Sequence, residues 1–86
     1  MALQVEVVSA EEELFSGEAS FVLARTVEGD IGILPGHAPL LAQLVRHEVK
    51  VRTAAGDRSF PVEGGFMSVK QDKVIVLADE GLPAGS

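Results

Sequence analysis

The sequence predicts an all-β fold, a sandwich or a barrel of short strands, on three observations. Apolar and polar residues alternate with a period of two, as in Val49-Lys50-Val51-Arg52, which is the period of a half-buried strand. Turn signals such as Glu28-Gly29-Asp30 interrupt these runs about every 8–12 residues, a spacing typical of sandwiches and barrels. Only residues 40–45 have a helix-like pattern, and that run is too short to predict a helix.

The first half of the chain contains four predicted strands, each a run rich in Val, Leu, Ile or Phe. They lie near residues 3–9, 12–16, 19–27 and 31–34. The second, third and fourth are predicted to end at turns, which are Ser16-Gly17-Glu18, Glu28-Gly29-Asp30 and Pro35-Gly36-His37. Gly and Pro mark these turns because they adopt backbone geometry that other residues resist.

The second half contains five predicted strands. They lie near residues 40–45, 48–53, 58–62, 66–70 and 73–78. The last four are separated by Ala55-Gly56-Asp57, Glu63-Gly64-Gly65 and Gln71-Asp72. Residues 81–86 are rich in Gly and Pro and are predicted to be a flexible tail, so one domain spans residues 1–80.

Two of the predicted strands are apolar on both faces. These are Phe21-Val22-Leu23-Ala24 and Val74-Ile75-Val76-Leu77. A run of this kind suits a central strand covered on both sides, or a strand with one face against a partner. The sequence leaves both interpretations open.

The composition excludes several classes of protein. Hydrophobic residues make up 47% of the chain, which argues against disorder, and the absence of Cys excludes disulfides and thiolate chemistry. The net charge is −6, and no basic surface that would bind nucleic acid is evident. The first residues show no basic cluster followed by a long apolar run, so no targeting or membrane-spanning segment and no direct lipid insertion are predicted.

The ionisable residues predict no catalytic residue, no metal site and no cofactor. Asp30 and His37 are conceivable as an acid–base pair, but they flank a short strand and nothing supplies a pocket that excludes water. His37 and His47 lack the spacing of a metal site. Gly64-Gly65 lacks the remaining residues of a phosphate-binding loop and is better explained as a tight turn.

One loop suggests a binding surface. In Gly32-Ile33-Leu34-Pro35-Gly36-His37-Ala38-Pro39-Leu40-Leu41, two prolines and two glycines restrict the backbone, and large apolar residues flank it. A rigid loop of this kind suits docking, because little conformational freedom is lost on binding. Anchoring of the same side chains in the core is an equally good explanation on the residues alone.

At this loop the sequence resembles the N-terminal domain of the epsilon subunit of F-type ATP synthases. The matching segments occur in the same order and spacing over roughly residues 3–80; they are Val7-Val8-Ser9-Ala10-Glu11, Phe15-Ser16-Gly17, the run from Glu28 to Leu41, Gly64-Gly65-Phe66-Met67-Ser68-Val69, and Val74-Ile75-Val76-Leu77-Ala78-Asp79. The resemblance implies a flattened sandwich of about ten short strands in two sheets.

The resemblance also implies a function and a set of contacts. The domain would be a non-catalytic rotor subunit that links the gamma subunit to the polar loops of the c ring and couples proton flow to ATP synthesis. It would lie peripherally at the cytoplasmic face of the cell membrane, within the ATP synthase complex. The implied c-ring contact is Glu28, Gly29 and Asp30, and the implied rotor interface is Pro35, Gly36, His37, Ala38 and Pro39. The residues expected to contact gamma are Leu40, Leu41 and Val76.

The sequence departs from the family pattern in two places. Family members commonly continue into a C-terminal helical hairpin, which these 86 residues do not include, so inhibition or nucleotide binding by that hairpin is not ascribed to them. The turn after Leu44 usually carries Pro-Gly and here reads Val45-Arg46-His47-Glu48, which makes the conformation of this turn the open question.

The residues leave two other functions conceivable. Lipoyl- or biotinyl-type carrier domains are of similar size and present a modified Lys at a hairpin tip, and Lys70 and Lys73 flank such a turn. The Asp-Lys-Ala or Met-Lys-Met sequence usual in carriers is missing. A small hydrolase would depend on Asp30 and His37 alone and is the weakest of the three hypotheses.

Overall fold

A computed structural model of the chain describes residues 2–78, which form nine β-strands joined by short connections. The strands are β1 Leu3–Val8, β2 Glu13–Ala19, β3 Phe21–Thr26, β4 Gly29–Ile33, β5 Leu40–Leu44, β6 His47–Thr53, β7 Gly56–Val62, β8 Gly65–Lys70 and β9 Lys73–Ala78. The predicted all-β class is confirmed, and the helix-like run at residues 40–45 contains strand β5. The predicted tail, residues 81–86, lies outside the described residues.

The strands form one hydrogen-bonded sheet that folds over into two layers. Their order is β2-β1-β9-β8-β5-β3-β6-β7, and β4 pairs with the other edge of β3. Strands β1 and β9 are parallel, while the other pairs are antiparallel. The domain is only 17 Å thick in its shortest dimension, as expected for two layers packed about 10 Å apart. The resemblance implied about ten strands in two sheets, whereas the described residues give nine in a continuous sheet.

The layers are continuous because β5 and β6 form one bent path along the same edge of β3. Thr26 of β3 is paired with Leu44 of β5, and Leu23 of β3 is paired with Lys50 of β6. The two β3 residues between these pairs therefore face five residues of the bent path, 45–49. An excess of residues on one strand bends it, which is how strands pass from one layer of a sandwich to the other. The segment after Leu44 is thus a sheet corner, held by the Val45 amide donating to the Arg25 carbonyl at 3.1 Å.

The core lies between the layers and consists of every second side chain along the strands. Val5 and Val7 of β1, Val49 and Val51 of β6, and Met67 of β8 are almost completely buried. The full set of buried apolar residues is Leu3, Val5, Val7, Ala19, Val22, Ala24, Ile33, Leu44, Val49, Val51, Phe60, Val62, Met67, Val69, Val74 and Val76. Alternation of this kind fixes the pairing register, because a slip of one residue would expose a whole strand's apolar set.

Two glycines serve packing within strands. Gly17 was predicted to lie in a turn, but it lies inside β2, which continues to Ala19, and the chain bends at Ser20 before β3. A Cβ on Gly17 would lie 3.3 Å from a ring carbon of Phe15, and a Cβ on Gly32 would lie 2.8 Å from two ring carbons of Phe21. The predicted strands 12–16 and 19–27 are therefore corrected to Glu13–Ala19 and Phe21–Thr26, because Gly17 makes room for an aromatic ring.

Aromatic packing joins the two ends of the folded sheet. The rings of Phe15 in β2 and Phe60 in β7 lie 5.7 Å apart between centroids, at an angle of 47°. The Arg58 guanidinium lies 5.6 Å from the Phe15 centroid and 5.4 Å from the Phe60 centroid. Arg58 therefore covers the seam between two strands that are not hydrogen-bonded neighbours in the strand order.

The substitution Arg58→Ala is expected to lower the free energy of unfolding by about 1 kcal/mol, because it removes two cation–π contacts at a partly exposed site. The change in the urea unfolding midpoint measures this effect. Arg46→Ala is the matched control: Arg46 makes only a surface ion pair with Glu63, at 3.2 Å, and its loss should cost well under about 1 kcal/mol. Equal midpoints for the two variants would contradict the role of Arg58 in closing the seam.

Candidate functional site

The β3–β4 hairpin carries the first group of predicted contact residues. Arg25 and Asp30 are paired across the hairpin, and Arg25 Nε lies 2.7 Å from Asp30 Oδ1. Thr26 Oγ1 donates to the Gly29 carbonyl at 2.8 Å and accepts from the Glu28 amide at 3.0 Å. Gly29 has a φ of +118°, a conformation that favours glycine. These bonds hold the tip, Val27 and Glu28, with both residues exposed.

The charge environment keeps Asp30 ionised. The hydrogen bond from Arg25 lowers the pKa of the Asp30 carboxyl. Partial loss of solvent raises this pKa, and the charges of Arg25 and His47 lower it further. The same hydrogen bond raises the pKa of Arg25. Protonation of Asp30 at low pH would therefore remove the ion pair, whereas neutral pH preserves it.

The β6–β7 hairpin repeats the same construction. Arg52 Nε lies 3.3 Å from Asp57 Oδ1, and the two residues are paired across the strands. Thr53 Oγ1 donates to the Gly56 carbonyl at 2.7 Å and accepts from the Ala55 amide at 3.1 Å. Gly56 has a φ of +125°. The sequence Arg-Thr-x-x-Gly-Asp therefore occurs twice, at residues 25–30 and 52–57, and builds the same hairpin each time.

The Pro35–Pro39 loop carries the second group of predicted contact residues and is tied to a distant turn. The His37 amide donates to the Leu34 carbonyl at 3.1 Å, and His37 Nδ1 lies 2.7 Å from the Ala38 carbonyl oxygen. The Gly36 amide donates to Asp72 Oδ1 at 2.7 Å. Asp72 has a φ of +63° in the β8–β9 turn, and its carbonyl accepts from the Gln4 amide at 2.8 Å. Asp72 thus connects the loop, the β8–β9 turn and β1, a role that no local pattern indicates.

Asp30 and His37 have separate partners among the described residues. Asp30 is bonded to Arg25, and the histidine whose charge acts on Asp30 is His47. The ring of His37 is bonded to the neighbouring carbonyl of Ala38. Within residues 2–78, no three His, Asp or Glu side chains come together as a metal site would require.

An exposed apolar surface covers the outer side of the layer that contains β5, β8 and β9. Leu41, Phe66 and Leu77 are 73%, 48% and 52% exposed. Phe66 is paired with Leu77 of β9, and Leu41 is paired with Ser68, whose other partner is Ile75. We call this surface, formed by Leu41, Phe66, Ile75 and Leu77, the β5–β8–β9 face. Exposed apolar residues that cluster in this way mark interaction surfaces more often than scattered ones do.

Strand parity decides which of the residues expected to contact gamma have exposed side chains. Val76 is fully buried in the core, so its side chain is not available to a partner. Leu40 points inwards and is half-buried against the core, whereas Leu41 is exposed. Phe66 and Leu77 are also exposed, and the sequence indicates this because each has the opposite parity to its buried neighbour, Met67 or Val76. The exposed Leu77 also indicates that β9 is a strand with one face uncovered in the isolated chain.

None of the described residues belongs to a helix with the length and hydrophobicity that crossing a membrane requires.

Similarity to known proteins identifies the family of the chain. The model of the family described as "ATP synthase, Delta/Epsilon chain, beta-sandwich domain" matches residues 2–84. The chain belongs to this family. Membership of the delta/epsilon family does not favour the carrier alternative, even though Lys70 and Lys73 do flank a tight turn.

Relatives in the delta/epsilon family are similar over most of the chain. The chain is 53% identical over 79 residues to the ATP synthase epsilon chain of Corynebacterium diphtheriae, covering 90% of this chain and 64% of that one. It is 53% identical over 77 residues to the epsilon chain of Micrococcus luteus, covering 88% of this chain and 85% of that one. It is 46% identical to the epsilon chain of Frankia casuarinae, covering 92% and 94%. The chain spans 60–66% of the length of the first four relatives that it matches.

Solved structures agree with the fold of the family. The chain matches a chain of the Euglena gracilis mitochondrial ATP synthase (OSCP/F1/c-ring) with a TM-score of 0.83 and 22% identity, covering 90% of this chain and 50% of that one. It matches a chain of the Tetrahymena thermophila mitochondrial ATP synthase (central stalk/c-ring) with a TM-score of 0.77 and 19% identity, covering 93% and 65%. The β-sandwich arrangement is therefore one that solved chains adopt.

Proposed function

We propose that this domain is a non-catalytic rotor subunit of an F-type ATP synthase, joining the gamma subunit to the c ring and coupling proton flow to ATP synthesis. Relatives named as ATP synthase epsilon chains, 53% identical over about nine-tenths of the chain, support this proposal. The structural observation that supports it most strongly is the β5–β8–β9 face, because an exposed apolar surface on a member of this family is a candidate surface for binding another subunit. The protein would lie peripherally at the cytoplasmic face of the membrane, and it would need no cofactor for this role.

The β5–β8–β9 face and the two groups of predicted contact residues fit two different partners. The gamma subunit would bury the β5–β8–β9 face, because removing apolar side chains such as Leu41 and Phe66 from water is the main favourable term in stable association. The polar loops of the c ring would contact Glu28, Gly29 and Asp30, and the Pro35–Pro39 loop would lie at the same rotor interface. A hairpin and a loop held by hydrogen bonds lose little conformational freedom on binding.

The test is co-elution with gamma on gel filtration. The 86-residue chain and the gamma subunit of the same organism, mixed at micromolar concentration, are expected to elute together in a 1:1 ratio. An interface burying about 1,200–2,000 Å² is typical of specific association and would survive this dilution. Separate elution of two correctly folded proteins at several concentrations would contradict the proposal.

A further inference from the structure

The Pro35–Pro39 loop lies on the surface, and the core holds the chain on either side of it. Ile33 before the loop is buried, and Leu40 after it packs against the core. Leu34 is 58% exposed, however, and none of the five loop residues is buried. Packing of side chains in the core therefore does not determine the position of the loop between these two points.

Hydrogen bonds within the loop shape it without attaching it to the sandwich. The His37 amide donates to the Leu34 carbonyl, and the His37 ring is bonded to the Ala38 carbonyl. Within residues 2–78, a single hydrogen bond connects the loop to another part of the fold, from the Gly36 amide to Asp72 Oδ1 at 2.7 Å. A bond from an amide to a carboxylate is charge-assisted and is stronger than a bond between neutral groups.

Both ends of this bond depend on a left-handed backbone conformation. Gly36 has a φ of +89°, and a Cβ there would meet no atom within 4 Å, so glycine serves the backbone conformation at this position and not close packing. Gln71 and Asp72 have φ values of +51° and +63° in the two-residue turn between β8 and β9. The Asp72 carbonyl accepts from the Gln4 amide of β1, so the sheet fixes the residue that holds the loop.

We infer that Asp72 is the positioning residue of the Pro35–Pro39 loop: its carboxylate holds the loop in the conformation that a partner binds. The functional part of this inference rests on the proposed function, in which the loop lies at the rotor interface. Asp72 acts through Gly36 and needs no contact with the partner itself. A loop that is already held loses less conformational freedom on binding, and the apparent Kd falls as the held fraction of molecules rises.

Two substitutions of Asp72 keep the turn and differ in the hydrogen-bond acceptor. Glycine adopts a positive φ freely, and the bond from Gln4 uses the backbone carbonyl, so Asp72→Gly removes the carboxylate and preserves the turn. Asp72→Asn also tolerates this conformation, and it keeps a side-chain oxygen that can accept from Gly36. Gln71→Gly is the matched control, because it alters the same turn and leaves the acceptor in place.

The first measurement is the rate at which the Gly36 amide hydrogen exchanges with solvent, resolved by NMR in each variant of the full chain. Asp72→Gly is expected to raise this rate at least about tenfold, because a surface amide exchanges readily once its hydrogen bond is lost. Asp72→Asn should raise it less than about threefold, and Gln71→Gly should leave it unchanged. An equal rate in Asp72→Gly and in the unsubstituted chain would overturn the inference.

The second measurement tests the consequence for binding. Each variant is bound to gamma, and the apparent Kd of the complex for membranes stripped of F1 but retaining the c ring is measured. Asp72→Gly is expected to raise this Kd about fivefold, and Asp72→Asn less than about twofold. Faster Gly36 exchange with an unchanged Kd would overturn the positioning role and leave the rotor function intact. If the unsubstituted complex did not bind these membranes, the proposed function would fail, whereas the exchange rates would still show whether Asp72 holds the loop.

Discussion

The substitution Asp30→Arg is expected to reduce ATP-driven proton pumping at least about tenfold in membrane vesicles whose ATP synthase carries the variant. It would place a second guanidinium directly opposite Arg25, in register across the hairpin, and near His47. Like charges opposite each other destabilise a strand pair, and like charges set against a partner cost several kcal/mol. The hairpin would open and the charge offered to the ring would be reversed, so rotation and proton flow would no longer be coupled.

The second hairpin supplies the control for this substitution. Asp57→Arg breaks the same kind of ion pair at a side chain with similar exposure, 61% against 54% for Asp30. Its pumping is expected to remain near that of the unsubstituted enzyme. Arg25→Asp combined with Asp30→Arg restores an ion pair in the reverse orientation but keeps the reversed charge at residue 30, so it should recover only the part of the pumping that is lost by opening the hairpin. Normal pumping with Asp30→Arg alone would remove this hairpin from the c-ring contact, and an equal loss with Asp57→Arg would assign the effect to folding.

The period-two alternation predicted the strands well because side-chain parity is a local property of an extended chain. Val49 and Val51 face the core as their spacing requires. The turn predicted at Gly17 was wrong because glycine has two uses that look alike in a sequence. It can adopt turn geometry, as Gly29 does, or it can give space to a ring, as Gly17 does for Phe15. Only the packed structure distinguishes the two.

The candidate surfaces depend on contacts between distant parts of the chain, and this limited what the sequence could predict. Glu28-Gly29-Asp30 and the Pro35–Pro39 loop are continuous segments, so a resemblance in sequence can point to them as candidates. The link from Gly36 to Asp72 spans 36 residues, and it follows from how β8–β9 lies beside the loop. The β5–β8–β9 face forms only when three strands lie side by side in register, which the sequence does not show. The alternation of side chains along each strand does predict that Phe66 is exposed and that Val76 is buried.

The substitution Phe66→Glu is expected to raise the Kd for the gamma subunit about a hundredfold, so that the two proteins elute separately on gel filtration. Phe66 lies in the middle of the β5–β8–β9 face, paired with Leu77 on one side and Gln43 on the other. Aromatic residues at the centre of an interface commonly contribute about 2–4 kcal/mol, and a carboxylate buried there without a partner adds a desolvation cost. The fold should tolerate the change, because half of this side chain is already exposed.

A carboxylate placed on the opposite side of the sandwich tests whether the effect is local. Ser59 is exposed on the outer side of the other layer, paired with Lys50, so Ser59→Glu adds the same charge in a position where a cation can receive it. That variant should bind gamma normally, whereas Leu77→Glu, on the same face as Phe66, should repeat the loss. If gamma buries this face, Glu at either position leaves a carboxylate without a partner in the interface, so a face that tolerated Glu at both Phe66 and Leu77 could not be the surface that holds gamma. Unchanged co-elution of these two variants would therefore contradict the assignment.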